Sequence, residues 1–209
     1  MSNTIVLKKH RQSKNQEKYH HGNLRQALVE AGIQILQFEG VDKLGLRSLA
    51  RLLDVSQTAP YSHFKDKTEL LAAIAEVGFQ NLAIVMLETV NGSVDLETRI
   101  KSLAVGYVSF AVQNKALFSL MFGRELKDMK SFPTLSMTAG KSYAMFSSAV
   151  TDCMVDRSDV SARTATNAVW SLVHGLAVFG AEGKLVIKDN DIQSFVSEHL
   201  DGLLGTIIA

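Results

Sequence analysis

Apolar residues recur at spacings of three and four along most of the chain, and no stretch alternates apolar and polar residues long enough to read as a strand. Leu24, Leu28, Ala31, Ile35 and Phe38 share one helix face. Asn23 is placed to accept from a free amide at the start, and Gly40 to end the helix without a Cβ clash, so the pattern predicts a helix over 24–38. A shorter helix over 47–53 turns Leu49, Leu52 and Leu53 inward and Arg47, Ser48 and Arg51 outward. The turn Asp54-Val55-Ser56-Gln57 leads into a third helix, expected over 57–64 with Ser56 as its cap. Pro60 constrains that start, because proline lacks an amide hydrogen and is tolerated only in a first turn. After Lys65-Asp66 a fourth helix opens at Lys67 or Thr68, carries Leu70, Leu71, Ile74, Val77 and Leu82 as its stripe, and extends past Val85.

Beyond Val90-Asn91-Gly92-Ser93 the helical period resumes. It predicts helices over 96–113, over 116–126, from Pro133 to about Met154, and from about Val160 to Glu182 after a reset at Arg157-Ser158-Asp159. A last helix begins at Asp191, with Ile192, Phe195, Val196, His199, Leu203 and Ile207 on one face. The expected fold is therefore all-α, with about nine helices in two groups: a small unit over 20–70 and a larger one over 71–209, joined by the fourth helix.

Composition narrows the class. The 209 residues hold two prolines and one cysteine, Cys153, which excludes an intramolecular disulfide and a cysteine zinc site and fits a reducing, cytoplasmic setting. The total of 22 Lys+Arg against 21 Asp+Glu looks indifferent to nucleic acid, but it averages two unlike parts. Residues 1–70 carry 11 basic and 7 acidic side chains, and the rest carry 11 and 14. The whole N-terminal excess comes from Lys8, Lys9, Arg11, Lys14 and Lys18 against Glu17, a basic arm over 1–19 ahead of the first helix. The arm lacks the apolar run and small-residue cleavage site of a secretory signal. Thr164 to Ala181 contains no Asp, Glu, Lys or Arg, but Asn167, His174, Gly175 and Gly180 interrupt it, so a buried helix is expected there and no membrane span.

Two short helices joined by a four-residue turn are the parts of a helix-turn-helix, in which the first helix braces across phosphates and the second enters the major groove. The side chains agree with that use. Gln57, Thr58 and Ala59 are short enough for close approach to base edges, while Tyr61, Ser62 and His63 can hydrogen-bond phosphates. Arg47 and Ser48 lie on the brace helix, where a guanidinium fork reaches guanine or phosphate, and Lys67 offers a point charge. The residues Arg47-Ser48-Leu49-Ala50, Val55 through Phe64 and Lys67-Thr68-Glu69-Leu70-Leu71 together resemble the DNA-binding domain of the tetracycline-repressor (TetR) family over about fifty residues, Leu24 to Leu71. That resemblance implies backbone contacts by Tyr61, His63 and Lys67 and base contacts by Gln57, Thr58 and Ala59. The chain departs from the family's pattern at Gly45-Leu46, where a Ser or Thr cap is usual, at Asp54, where glycine is usual, and at Pro60.

Trp170-Ser171-Leu172-Val173-His174-Gly175 is similar to the Trp-x-x-x-His-Gly signature of one type of C-terminal domain in that family. The resemblance implies a homodimer in which the last two helices pack against their partners, with Trp170, Val178, Phe195 and His199 as interface residues. It also implies a small, hydrophobic effector held among the C-terminal helices, for which Phe110, Met121, Phe122, Met145, Phe146, Trp170 and His174 are the candidates; core packing is the alternative role for each. The partners expected are a palindromic DNA operator, the effector and a second copy of the chain. No cofactor or metal is expected: Asp152, Asp156 and Asp159 straddle a helix end without the spacing of a calcium loop. An effector-independent architectural DNA binder is the rival reading. An all-α enzyme is disfavoured, because no nucleophile, base and orienting group stand at a recognisable spacing.

Overall fold

Side-chain caps fix where four of the helices begin. The structure, a computed structural model, describes residues 24–90, 92, 95–154, 161–187 and 191–207. Eight α-helices and no strand occur among them: α1 Leu24–Glu39, α2 Leu46–Leu52, α3 Lys67–Thr89, α4 Leu96–Gln113, α5 Lys115–Met121, α6 Pro133–Cys153, α7 Ala162–Ala181 and α8 Ile192–Ile207. Asp66 accepts from the Glu69 amide at 2.9 Å and Glu69 reaches back to the Lys65 amide at 2.6 Å, which opens α3 with a reciprocal cap. Asp95 does the same for α4 through the Thr98 amide, Ser161 for α7 through Thr164, and Asp191 for α8 through Ser194. These bonds favour the ionised carboxylates, and the Asp95 and Asp191 carboxyls are held below their usual range by them. Pro133 opens α6, where its missing amide hydrogen is not needed.

One apolar core runs from Leu28 to Leu204, and α3 carries it from the N-terminal helices into the C-terminal ones. Near its start α3 packs on α1, with Ile74 over Gly32; in its middle it packs on α5, with the Met121 sulfur over Gly78. α3 is also long and apolar enough to cross a membrane, but more than half of that stretch is buried inside the protein, and it serves as the central core helix.

Several expectations change, among them the helix over 116–126, which stops at Met121 ahead of a 3-10 turn, Arg124–Leu126. The helix expected over 57–64 is a turn followed by a 3-10 helix, Ala59–Ser62, so eight α-helices stand where about nine were counted. Pro60 is the reason: it has no amide to offer the Ser56 carbonyl, which instead accepts from Ala59 at 3.0 Å and tightens the turn. Phe38 and Leu52, expected inward, are 83% and 57% exposed, because at the ends of α1 and α2 it is Leu36 and Leu53 that turn onto the core. The calls on the basic arm 1–19, Asn23, Asp156, Asp159, the Arg157-Ser158-Asp159 reset and the Ile207 side chain lie outside the described residues.

Candidate functional site

The first site is built on the α2 turn. Leu53 ends the helix, Asp54 takes a left-handed φ of 53°, the Val55 amide donates to Ala50 at 3.0 Å and the Asp54 amide to Arg51 at 3.4 Å. This is the paired bonding of a Schellman stop, with aspartate in the place glycine usually takes. Ser56 then caps the next turn as expected, its Oγ accepting from the Ala59 amide at 3.2 Å. Pro60 and Phe64 point into the core, which turns Gln57, Thr58, Tyr61, Ser62 and His63 to solvent and leaves Ala59 half-buried. Tyr61 is 48% exposed, a large polar-tipped ring on an otherwise small-headed surface.

Arg47 is exposed on α2 beside this rim. Ser48 is half-buried and donates its hydroxyl to the Gly45 carbonyl at 2.7 Å, so an acceptor lone pair rather than the proton is what it offers outward. Lys67 is half-buried at the first turn of α3, and its Nζ donates to the Val41 carbonyl at 2.7 Å, which braces the ammonium and leaves it two further protons.

The second site lies among α3 to α7. Tyr107 is fully buried and its ring centroid is 5.2 Å from Trp170, 5.7 Å from Phe118 and 6.3 Å from Phe146. Phe122 stands 4.6 Å from His174, 4.9 Å from Phe118 and 5.3 Å from Phe79 of α3. Most of these rings meet edge to face, the arrangement their quadrupoles favour. Trp170 and His174, four apart on α7, lie with planes 7° apart. Of the candidate effector residues, Phe122, Phe146, Trp170 and His174 are thus brought together. Met121 turns away to Gly78, Phe110 lies one turn beyond Tyr107 in the core, and Met145 lines a separate open groove of about 310 Å³ with Leu87, Val90, Arg99 and Leu103.

Tyr107 is the residue that sequence reasoning missed. Its phenol lies 2.9 Å from His174 Nδ1, a partner 67 positions away that no local spacing reveals. Burial pushes the phenol above its usual range and the imidazole below its own, so both are neutral near pH 7. A buried O–H must donate, which makes Nδ1 the acceptor and puts the imidazole proton on Nε2.

A depressed histidine value makes folding sensitive to acid. Above pH 6.5, the ordinary histidine value, neither the folded nor the unfolded state binds the proton; as pH falls below it the unfolded state protonates first, and stability declines down to the folded value. His174→Gln, which keeps an acceptor for Tyr107 but does not titrate, is expected to lose less unfolding free energy than the wild type between pH 7.5 and 5. Equal losses in urea titrations would contradict this.

The remaining candidates sit on the outer helices. Val178 and Phe195 are half-buried, and His199 is exposed with its Nδ1 2.7 Å from the Phe195 carbonyl. Phe179 of α7 is exposed nearby in sequence, and a Cβ on Gly175, Gly202 or Gly205 would meet open space, so these faces of α7 and α8 are smooth and uncovered in the single chain. Asp152, from the acidic group weighed above, pairs with Arg99 at 3.1 Å, and no metal-binding cluster occurs among the described residues.

Known proteins match both halves of the chain. Residues 28–74 match the family of bacterial regulatory proteins, tetR family, and residues 100–203 match a tetracyclin repressor-like C-terminal domain. A Rhodococcus sp. RHA1 protein of unknown function is 30% identical and superposes with a TM-score of 0.79 over 92% of this chain and 100% of its own. The HTH-type transcriptional regulator YobS of Bacillus subtilis is 23% identical over 88% of this chain and 94% of its own length. The class C tetracycline repressor protein of Escherichia coli is 42% identical over 52 residues, 25% of this chain and 24% of that protein.

Proposed function

The chain belongs to the TetR family of bacterial regulators and is a DNA-binding transcriptional regulator rather than an enzyme, and from that premise we propose that it is a homodimeric repressor of a palindromic operator, released by a small hydrophobic effector. The observation that carries this is the rim of exposed Gln57, Thr58, Tyr61, Ser62 and His63 held around buried Pro60 and Phe64, with Arg47 beside it. Gln57, Thr58 and Ala59 face base edges, and Tyr61, Ser62, His63, Ser48 and Lys67 hold the phosphates on either side. The division of labour follows chemistry: amide and guanidinium forks discriminate bases, whereas hydroxyls, imidazole and ammonium fix register on the backbone.

The smooth faces of α7 and α8, with Val178, Phe195 and His199, supply the dimer contact, and Trp170 links that face to the ring cluster behind it. Two reading segments must then meet two half-sites at once, so a change in their separation removes one set of contacts. α3 is the element able to make that change. It begins at the reading head and ends beside α4 and α6, and an effector that prefers one tilt of α3 shifts the population toward it.

Arg47→Ala is expected to cost about 1–3 kcal/mol on the specific duplex and to relax its discrimination against random DNA. Lys67→Ala should instead weaken specific and random duplexes alike and flatten the dependence on salt. Competition binding at several salt concentrations measures both, and equal losses on the two duplexes for Arg47→Ala would remove it as a base reader.

A further inference from the structure

We propose that the ring cluster receives an uncharged, planar aromatic effector, and that Phe122 is the side chain that yields to it. This rests on the effector-released regulator above and adds the ligand's chemical class and its point of entry. The class follows from what meets here. Phe79, Phe118, Phe122 and Trp170 carry no charge, and Tyr107 and His174 satisfy each other as neutral partners. An ionised ligand would lose its water among these rings and find no counter-charge. A saturated ligand would lose the edge-to-face partners that a flat ring finds at these spacings.

Phe122 marks the entry. It follows the last residue of α5, outside the regular helix, and is 38% exposed although its ring touches Phe118 and lies beside fully buried Tyr107. Gly123 behind it lets the chain turn tightly, since a Cβ there would stand 2.5 Å from both the Ser119 carbonyl oxygen and the Glu125 Oε2, whose carboxylate flanks the entry and disfavours an anionic ligand. Its ring occupies a phenyl-sized space between Phe79, Phe118 and His174, so a ligand ring entering that space displaces it. Phe79 belongs to α3, and the displacement is therefore felt on the helix that carries the reading head.

Trp170, the single tryptophan, reports on the site directly. The test titrates the full chain with 4-nitroanisole, 4-nitrobenzoate and nitrocyclohexane, which share a quenching nitro group and differ in charge or flatness. Tryptophan emission, corrected for absorbance, gives an apparent Kd for each. The expected result is saturable quenching by 4-nitroanisole with a Kd about tenfold or more below the other two. Phe122→Ala, checked for an unchanged circular dichroism spectrum, should bind 4-nitroanisole more tightly, because no ring has to move. No saturable quenching, or equal Kd values for the three probes, overturns the ligand class; unchanged or weaker binding by Phe122→Ala overturns the gate. Operator binding on the same preparation separates the two claims, since intact palindrome binding without probe-specific quenching removes the aromatic effector alone.

Discussion

Phe64→Ala is expected to lower the unfolding free energy by about 3–5 kcal/mol and to abolish operator binding with it. Phe64 is 1% exposed and directly follows the reading segment, and its amide donates to the Pro60 carbonyl at 3.0 Å. The Arg25 guanidinium of α1 lies 5.2 Å from the ring centroid, so the side chain ties the turn to the first helix by packing and by a cation–π contact. Truncation leaves a cavity beneath the residues that must stay in register with the groove, and the short 3-10 turn has few other anchors. Tyr61→Ala is the matched control. Being exposed, it should cost well under the Phe64 loss in stability, about 0.5 kcal/mol, while still weakening DNA binding. Urea unfolding and operator titration on both variants check the pair, and a Phe64→Ala loss below that of Tyr61→Ala would contradict the packing assigned to it.

Gly106→Ala is expected to destabilise the protein by about 2–3 kcal/mol, although it adds a single methyl to a helix. A Cβ at Gly106 would stand 2.8 Å from Thr89 Oγ1, 2.9 Å from Met86 Cα and 3.1 Å from the Val85 carbonyl oxygen. Two of those atoms are backbone, and the threonine hydroxyl is held by the Met86 and Ser102 carbonyls at 2.7 Å each. Nothing there gives way unless α3 and α4 separate. Gly140→Ala makes the same chemical change at an exposed position of α6, where the Cβ meets nothing within 4 Å, and should stabilise by about 0.5–1 kcal/mol through helix propensity. Thermal unfolding of the two variants should therefore move in opposite directions. Because α3 runs from the reading head into the C-terminal helices, Gly106→Ala is also expected to weaken the operator affinity of the protein that remains folded.

The helical periods were legible because they are local. Thr164 to Ala181, uncharged throughout, reads as a buried helix; it forms a helix buried on one face, with Val169, Val173 and Ala177 in the core, while Phe179 stays exposed. Asp54 was recognisable as a residue able to take a left-handed backbone, and it does. Misreadings occurred where the outcome depends on what lies opposite. Periodicity assigns Phe38 and Leu52 to an apolar face, but only the packed structure shows that these two side chains face solvent. Pro60 announced a constraint without announcing its result, since either an α-helical first turn or a 3-10 turn accommodates a missing amide. The reading head needed only residues close in sequence, whereas the ring cluster needed Tyr107 and His174 to meet across 67 positions, which no spacing encodes.

Selection of bound sequences from random duplex DNA with the purified full chain tests the central claim most directly. Two reading segments held by one dimer should enrich a palindrome, and the enriched duplex should bind far more tightly than either half-site alone. Failure to enrich any motif at moderate salt, or enrichment of a lone half-site bound as tightly as its duplicate, would contradict a homodimeric regulator that reads DNA through residues 56–63.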